Sequence, residues 1–183
     1  MKNKNNKMSV PKSHPRYLSL MAREKIAGGV KKGVTSVHGL IAHGRGEAFD
    51  YLIGEKTTES AKKSISAAAA LLLMAKNPVI SVNGNAAALA AKELVQLSKA
   101  VNAKIEVNIF HASKKREIKI KNYLVKNGAK EVLLPQKNCT IKYLDSNRKY
   151  VNKDGIYRAD VIFVPLEDGD RTEALRKNGK NVV

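Results

Sequence analysis

"PVISVNGNAAALAAKELVQLSKAVNAKIEVNIF", residues 78–110, contains two short β-branched runs on either side of a longer apolar-periodic segment. "PVISVN" and "AKIEVNIF" read as strands, and "AAALAAKELVQLSKAV" reads as the helix that joins them. A strand, a helix and a second strand in this order form a βαβ unit, whose two strands lie parallel. The pattern continues towards the C-terminus. "KREIKIKNYLVKNG" is a helix closed by Gly128, "AKEVLL" a third strand, "ADVIFVPL" a fourth, "DRTEALRKNG" a helix, and "KNVV" the start of a fifth strand. Only residues 135–154 lack a clear period. Towards the N-terminus, before residue 77, the patterns are helical: "HPRYLSLMAREKIAGGVKKG", with Leu18, Met21, Ile26 and Val30 near helical spacing, then residues 39–58, then 59–76. The expected fold is therefore α/β, a Rossmann-like parallel sheet with helices on both faces, preceded by an N-terminal helical region. The expected division is a disordered basic tail over 1–10, a helical region over 11–76, and the α/β core over 77–183.

At 183 residues the chain is long enough to bury a core without disulfides or structural metal. Its single cysteine, Cys139, cannot form an intramolecular disulfide, and no Cys/His spacing suits zinc, which suggests a cytoplasmic protein. The apolar run from Ile65 is too short for a membrane span and has no signal-peptide layout. Lys and Arg total 34 against 16 acids, a formal charge of +18, which favours anionic partners. Nucleic acid is one such class, but no recognised nucleic-acid-binding motif is present, so a basic nucleic-acid-binding module is kept as the alternative function.

In open α/β sheets, ligands sit beyond the carboxyl ends of the strands, where strand order reverses. Two turns leave strand ends with unusual polarity. One holds Asn83, Gly84 and Asn85 ahead of a helix whose free N–H groups favour an anion. The other crowds Glu167, Asp168, Asp170 and Arg171. The plain reading of the first is a tight strand-to-helix turn, since Asn and Gly tolerate positive φ. For the second, capping by Asp170 accounts for one acid but not for three. A third stretch, "GLIAHGRGEAFDYLIGEKTT" over 39–58, sets Arg45 between two glycines, as in a loop whose glycine N–H groups and guanidinium receive an anion. His43 in that stretch is a candidate substrate- or phosphate-binding residue, although a lone histidine is ordinarily a satisfied structural one. "GEKTT" is not a phosphate-binding P-loop, because Glu55 stands where glycine must precede the lysine.

Five blocks, "PKSHPRYLSLMAREKI", "GLIAHGRGEAFDYLIGEKT", "PVISVNGNAAAL", "AKIEVNIF" and "DGIYRADVIFVPLEDGDRTEAL", together resemble the archaeal phosphopantothenate synthetase family, the 4-phosphopantoate β-alanine ligases of coenzyme A biosynthesis. The resemblance runs from Pro11 to the C-terminus. It implies condensation of 4-phosphopantoate with β-alanine, driven by ATP going to AMP and pyrophosphate through an acyl-adenylate, with Mg²⁺, in a Rossmann-like homodimer. It implies that Arg23 and Arg45 contact ATP. By position, Asn83, Gly84 and Asn85 are assigned to a phosphate or the pantoate hydroxyl. Asp168 and Asp170 are assigned catalytic roles, serving Mg²⁺ or the β-alanine ammonium. There are two departures. "FHAS" at 110–113 lacks the arginine expected after the second strand, and the family pattern continues past "NGKNVV" into a segment that contributes to the ATP site, whereas Val183 ends this sequence. From that second departure follows the expectation that the chain as written folds, but lacks its C-terminal part and grips ATP weakly. An inactive relative of the ligase is the other alternative.

Overall fold

The computed structural model describes residues 10–183; all but the last residue of the tail expected over 1–10 lies outside the described residues. Three helices come first: α1 (Tyr17–Lys32), α2 (Val37–Ile53) and α3 (Glu59–Met74). Each boundary has a chemical cause. Gly33 ends α1 in the left-handed conformation, φ 69°, its N–H reaching the Gly29 and Val30 carbonyls. The Ser36 hydroxyl caps α2 by accepting from the Gly39 N–H at 3.1 Å, and Thr58 caps α3 in the same way through Ala61.

Residues 39–58 are thus not an anion-binding loop, because Gly39 to Ile53 lie within α2 and the N–H groups of Gly44 and Gly46 belong to the helix interior. A capped N-terminus, Gly54 at the C-cap and packing against α1 and α4 outweigh two interior glycines that each cost about 1 kcal/mol.

The core follows as β1 (Pro78–Val82), α4 (Gly84–Ala100), β2 (Lys104–Val107), α5 (Lys114–Lys126), β3 (Gln136–Thr140), β4 (Tyr150–Val151), β5 (Val161–Phe163), α6 (Gly169–Lys177) and β6 (Asn181–Val182). A four-stranded parallel sheet has the order β2-β1-β5-β6, with Ile80 opposite both Ile105 and Phe163. One face packs Ile80, Val82, Ile105 and Val107 against Ala87, Leu94, Ile120 and Leu124 of α4 and α5. The other packs Val79 and Ile162 against Ala174 and Leu175 of α6 and against Ile141, Val151 and Ile156. The Rossmann-like reading, with helices on both faces, holds.

Two local readings change. The strand expected at 129–134 is reduced to one bridge, in which Leu133 pairs with the Glu106 position and exchanges hydrogen bonds with Ile105 and Val107. The next donor in that ladder would be residue 135, a proline with no N–H. The aperiodic segment, in turn, contains the antiparallel ribbon β3–β4.

Candidate functional site

The chain runs from β1 outward to β2, then returns to the other side of β1 for β5 and β6. Strand order therefore reverses between β1 and β5, and the crevice opens beyond their carboxyl ends. A cavity of about 300 Å³ lies there, walled by the start of α2, the β1–α4 turn, the loop after β2 and the loop after β5.

The two polar turns are neighbours, and Asn83 joins them. Its Oδ1 accepts from the Ala86 N–H at 2.9 Å, capping α4, while its Nδ2 donates to the carbonyls of Pro165 at 3.0 Å and Leu166 at 2.9 Å. Leu166 sits at φ 56°, a conformation uncommon for leucine, and this bond helps hold it there. Asn85 ties α4 to α2, donating to the Gly39 carbonyl at 2.9 Å and meeting the Thr35 hydroxyl. Both side chains are thus committed to shaping the cavity wall. Gly84 permits a close crossing: a Cβ there would lie 2.7 Å from the Val34 carbonyl oxygen.

Three arginines line this cavity: Arg45, Arg116 and Arg148. Arg45 is exposed on α2. Arg116 donates from Nη1 to the His111 carbonyl at 3.0 Å, its Nε is buried without a hydrogen-bond partner, and burial pulls its guanidinium below the usual arginine range. A guanidinium thus stands beside the "FHAS" loop, from the first turn of α5. The rings of His38 and His111 stand 4.4 Å apart at the same rim.

Beneath the cavity is a buried ionic network. Glu167, 4% exposed, pairs with both Arg148, 4% exposed, and Arg171, 0% exposed. Arg148 also donates from Nε to Asn108 Oδ1 at 3.1 Å, and Arg171 donates to the Ser81 hydroxyl at 3.0 Å. Asp168 is different: its carboxylate is 72% exposed, 3.4 Å from Arg148. It occupies the N-cap position of α6 without making a side-chain cap bond, so neither Asp168 nor Asp170 is shown capping the helix, and Asp168 lines the cavity.

Glu106, fully buried at the end of β2, accepts from the Asn152 N–H at 2.8 Å and the Ile156 N–H at 2.7 Å. Burial pushes its carboxyl up to about 7, with those two N–H groups and the Arg171 charge pulling it back only in part. The folded state then holds this proton more tightly than the unfolded chain, whose carboxyl keeps its ordinary value of 4.5. This group's contribution to stability is full below that value and is lost as pH rises towards about 7. Urea midpoints should fall across that window, and Glu106→Gln should flatten the fall. An identical slope in Glu106→Gln would assign the dependence to another group.

Of the residues singled out in the sequence, Arg45, Asn83, Gly84, Asn85 and Asp168 meet in one cavity. Arg23 is exposed on α1. His43 lines a separate cavity with Ser19, Asp50 and Glu55, and Asp170 is exposed in the first turn of α6. Sequence reasoning missed Arg116, Arg148 and Asn108. Arg116 lies on a helix rich in exposed lysines, and Arg148 in the segment without a period. No group of three or more His, Cys, Asp or Glu side chains among the described residues could hold a metal ion. No helix among them is long and apolar enough to cross a membrane.

Residues 60–183 match the phosphopantothenate/pantothenate synthetase family. The chain is 54% identical over 177 residues to a 4-phosphopantoate–beta-alanine ligase of Thermococcus kodakarensis, covering 96% of this chain and 68% of that protein. It is 55% identical over 174 residues to the Methanosarcina mazei protein of the same name, covering 95% and 68%. It is 53% identical over 176 residues to the one from Methanospirillum hungatei, covering 95% and 71%. A match over this much of the chain agrees with the order of the five sequence blocks and with the sheet they build, and the chain belongs to the phosphopantothenate/pantothenate synthetase family.

Proposed function

We propose that this chain is an ATP-dependent ligase that joins 4-phosphopantoate to β-alanine in coenzyme A biosynthesis, in the cytoplasm, and that the switch-point cavity is its active site. The observation that carries this reading is the convergence of Arg45, Arg116 and Arg148 with the start of α4 in one crevice, on a chain whose relatives bear that ligase's name. The 4-phosphopantoate carboxylate attacks the α-phosphorus of ATP, pyrophosphate leaves, and an acyl-adenylate forms. The β-alanine amine then attacks the acyl carbon, losing a proton as AMP departs. Both reactants of the first step are anions, so guanidinium groups are needed to offset their repulsion. Arg45 is assigned to the nucleotide phosphates, with Arg23 as a second contact, and Asp168 to the β-alanine ammonium. Asp168 already faces Arg148, and the carboxylates among the described residues do not compose a metal site; Mg²⁺ would enter on the ATP phosphates. The unpaired apolar residues Leu52, Leu73 and Met74 of α2 and α3, 78%, 69% and 82% exposed, support a homodimer.

AMP release that depends on ATP, 4-phosphopantoate and β-alanine together is the decisive assay. Arg45→Ala should weaken ATP binding about 10- to 100-fold, the worth of a desolvated charge-assisted contact, and Arg23→Ala should behave alike. Unchanged calorimetric affinity with an intact circular dichroism spectrum would remove the assignment. Asp168→Asn keeps size and removes charge. It should raise the KM for β-alanine with little effect on ATP affinity, whereas full activity in both Asp168→Asn and Asp170→Asn would leave the acidic turn a structural feature only.

A further inference from the structure

The stretch from residue 135 to 154 has no period to place it, yet it delivers Arg148 to the cavity wall. Arg148 lies in a single 3₁₀ turn, Asn147–Lys149, which is too short to fix a long side chain by its own geometry. The fixing comes from β2. Asn108, buried one residue past the end of that strand, donates from Nδ2 to the Arg148 and Tyr150 carbonyls, each at 3.1 Å, and accepts from Arg148 Nε at 3.1 Å. One amide thus holds both the backbone and the guanidinium of Arg148. Two positions earlier, on the same face of the strand, Glu106 accepts from the Asn152 and Ile156 N–H groups, and a Cβ on Gly155 would collide with Glu106 Oε2. Residues 148–156 are therefore held against β2 by two buried polar side chains.

Arg148 in turn holds Asp168. The Glu167 carboxylate is shared between Arg148 and Arg171 beneath the cavity. The Asp168 carboxylate, at the cavity, has Arg148 as its only partner among the described residues, at 3.4 Å, and no cap bond to α6 orients it otherwise. An exposed carboxylate held by one contact takes its direction from that contact. Asn108 does not itself line the cavity, so its influence on a ligand there passes through Arg148.

We propose that Asn108 is a positioning residue for the half-reaction in which the amine attacks: through Arg148 it sets the direction of the Asp168 carboxylate where the β-alanine ammonium docks. The naming of β-alanine rests on the ligase reading; the Asn108–Arg148–Asp168 relay does not. Glu167 also balances the Arg148 charge, so Asp168 can turn to a second cation without leaving a buried arginine unpaired. Binding of β-alanine, and not of the nucleotide, is the step that Asn108 controls.

The test measures the KM for β-alanine by AMP release, and ATP affinity by calorimetry, in wild type, Asn108→Ala, Arg148→Lys and Asp168→Asn, and in the two double variants that add Asp168→Asn to each of the others. Asn108→Ala should raise that KM about tenfold, the worth of a hydrogen bond to a charged group, and change ATP affinity by less than about twofold. Arg148→Lys keeps the charge but loses the Nε contact and the fork. It should do the same, and it decides the matter if loss of the Asn108 amide prevents folding. On top of Asp168→Asn, either substitution should add less than about twofold, because a relay has only one end to lose. Effects that multiply in the double variants would make Asn108 and Asp168 independent and overturn the proposal, as would an equal loss of ATP affinity. The relay is also read without turnover: the Arg148 Nε–H should exchange with solvent about tenfold faster or more in Asn108→Ala than in wild type, by ¹H–¹⁵N spectroscopy. Unchanged exchange would overturn the relay. Faster exchange, with a wild type that releases no AMP, would uphold the relay and refute the ligase reading.

Discussion

Glu167→Ala should lower the free energy of unfolding by about 3–5 kcal/mol, the cost of leaving buried charge uncompensated. The side chain is 4% exposed and is the shared counter-ion of Arg148 and Arg171, which are themselves 4% and 0% exposed. Without it, Arg171 keeps, among the described residues, only the Ser81 hydroxyl as a hydrogen-bond acceptor, and its Nε already has none there. Burial has already drawn this guanidinium down to about 10, with Glu167 opposing that fall. Glu167→Gln, which preserves volume, should show most of the same loss, because charge rather than size is what is removed. Urea denaturation followed by circular dichroism measures both. A loss below about 1 kcal/mol in each variant, the level of an exposed ion pair, would mean that water enters the network. The same network fixes Arg148 at the cavity wall, so activity should fall with stability.

Gly84→Ala is the second large effect. A Cβ at this position would lie 2.7 Å from the Val34 carbonyl oxygen, 3.0 Å from Thr35 Cα and 2.7 Å from Arg116 Nη2. Two of those three atoms are backbone and cannot swing aside, so either the α1–α2 connection or the first turn of α4 must move. Overpacking of this kind costs about 1–3 kcal/mol, and a displacement near 1 Å at the reacting groups costs about 100-fold in rate. Gly44→Ala is the matched control: within α2 its Cβ would meet nothing within 4 Å, and alanine there should add about 0.5–1 kcal/mol of stability. AMP release and urea midpoints on both variants decide it. If Gly84→Ala retained wild-type turnover and stability, the crossing of α4 under the Val34–Thr35 backbone would be more yielding than its geometry implies.

The sequence by itself determined the parts of this protein that depend on local chemistry. β-branched runs at 78–82 and 161–163 became buried parallel strands, because continuous apolar character suits a sheet covered on both faces. Amphipathic spacing and the Ser113 cap made α5, and the five blocks in their order already pointed to the family. Local pattern misled where a neighbour changed the outcome. Pro135 cut the ladder of "AKEVLL" to one bridge, and Ser36, 3 residues before Gly39, turned an apparent glycine loop into a helix.

What only the tertiary structure decided is which charges meet. Arg148 and Glu167 are 19 residues apart in the chain, and Asn83 and Leu166 are 83 apart. No local period links such pairs. They meet because strand order reverses between β1 and β5 and brings two strand ends side by side. Burial then sorted residues of the same type into different roles. Of two acids adjacent in sequence, Glu167 neutralises buried arginines while Asp168 faces solvent. Of the arginines, Arg171 is locked in the core and Arg116 is left beside the cavity with no carboxylate partner among the described residues. Those differences come from desolvation and counter-charge, which depend on the surroundings of a folded side chain and leave no mark on the order of residues.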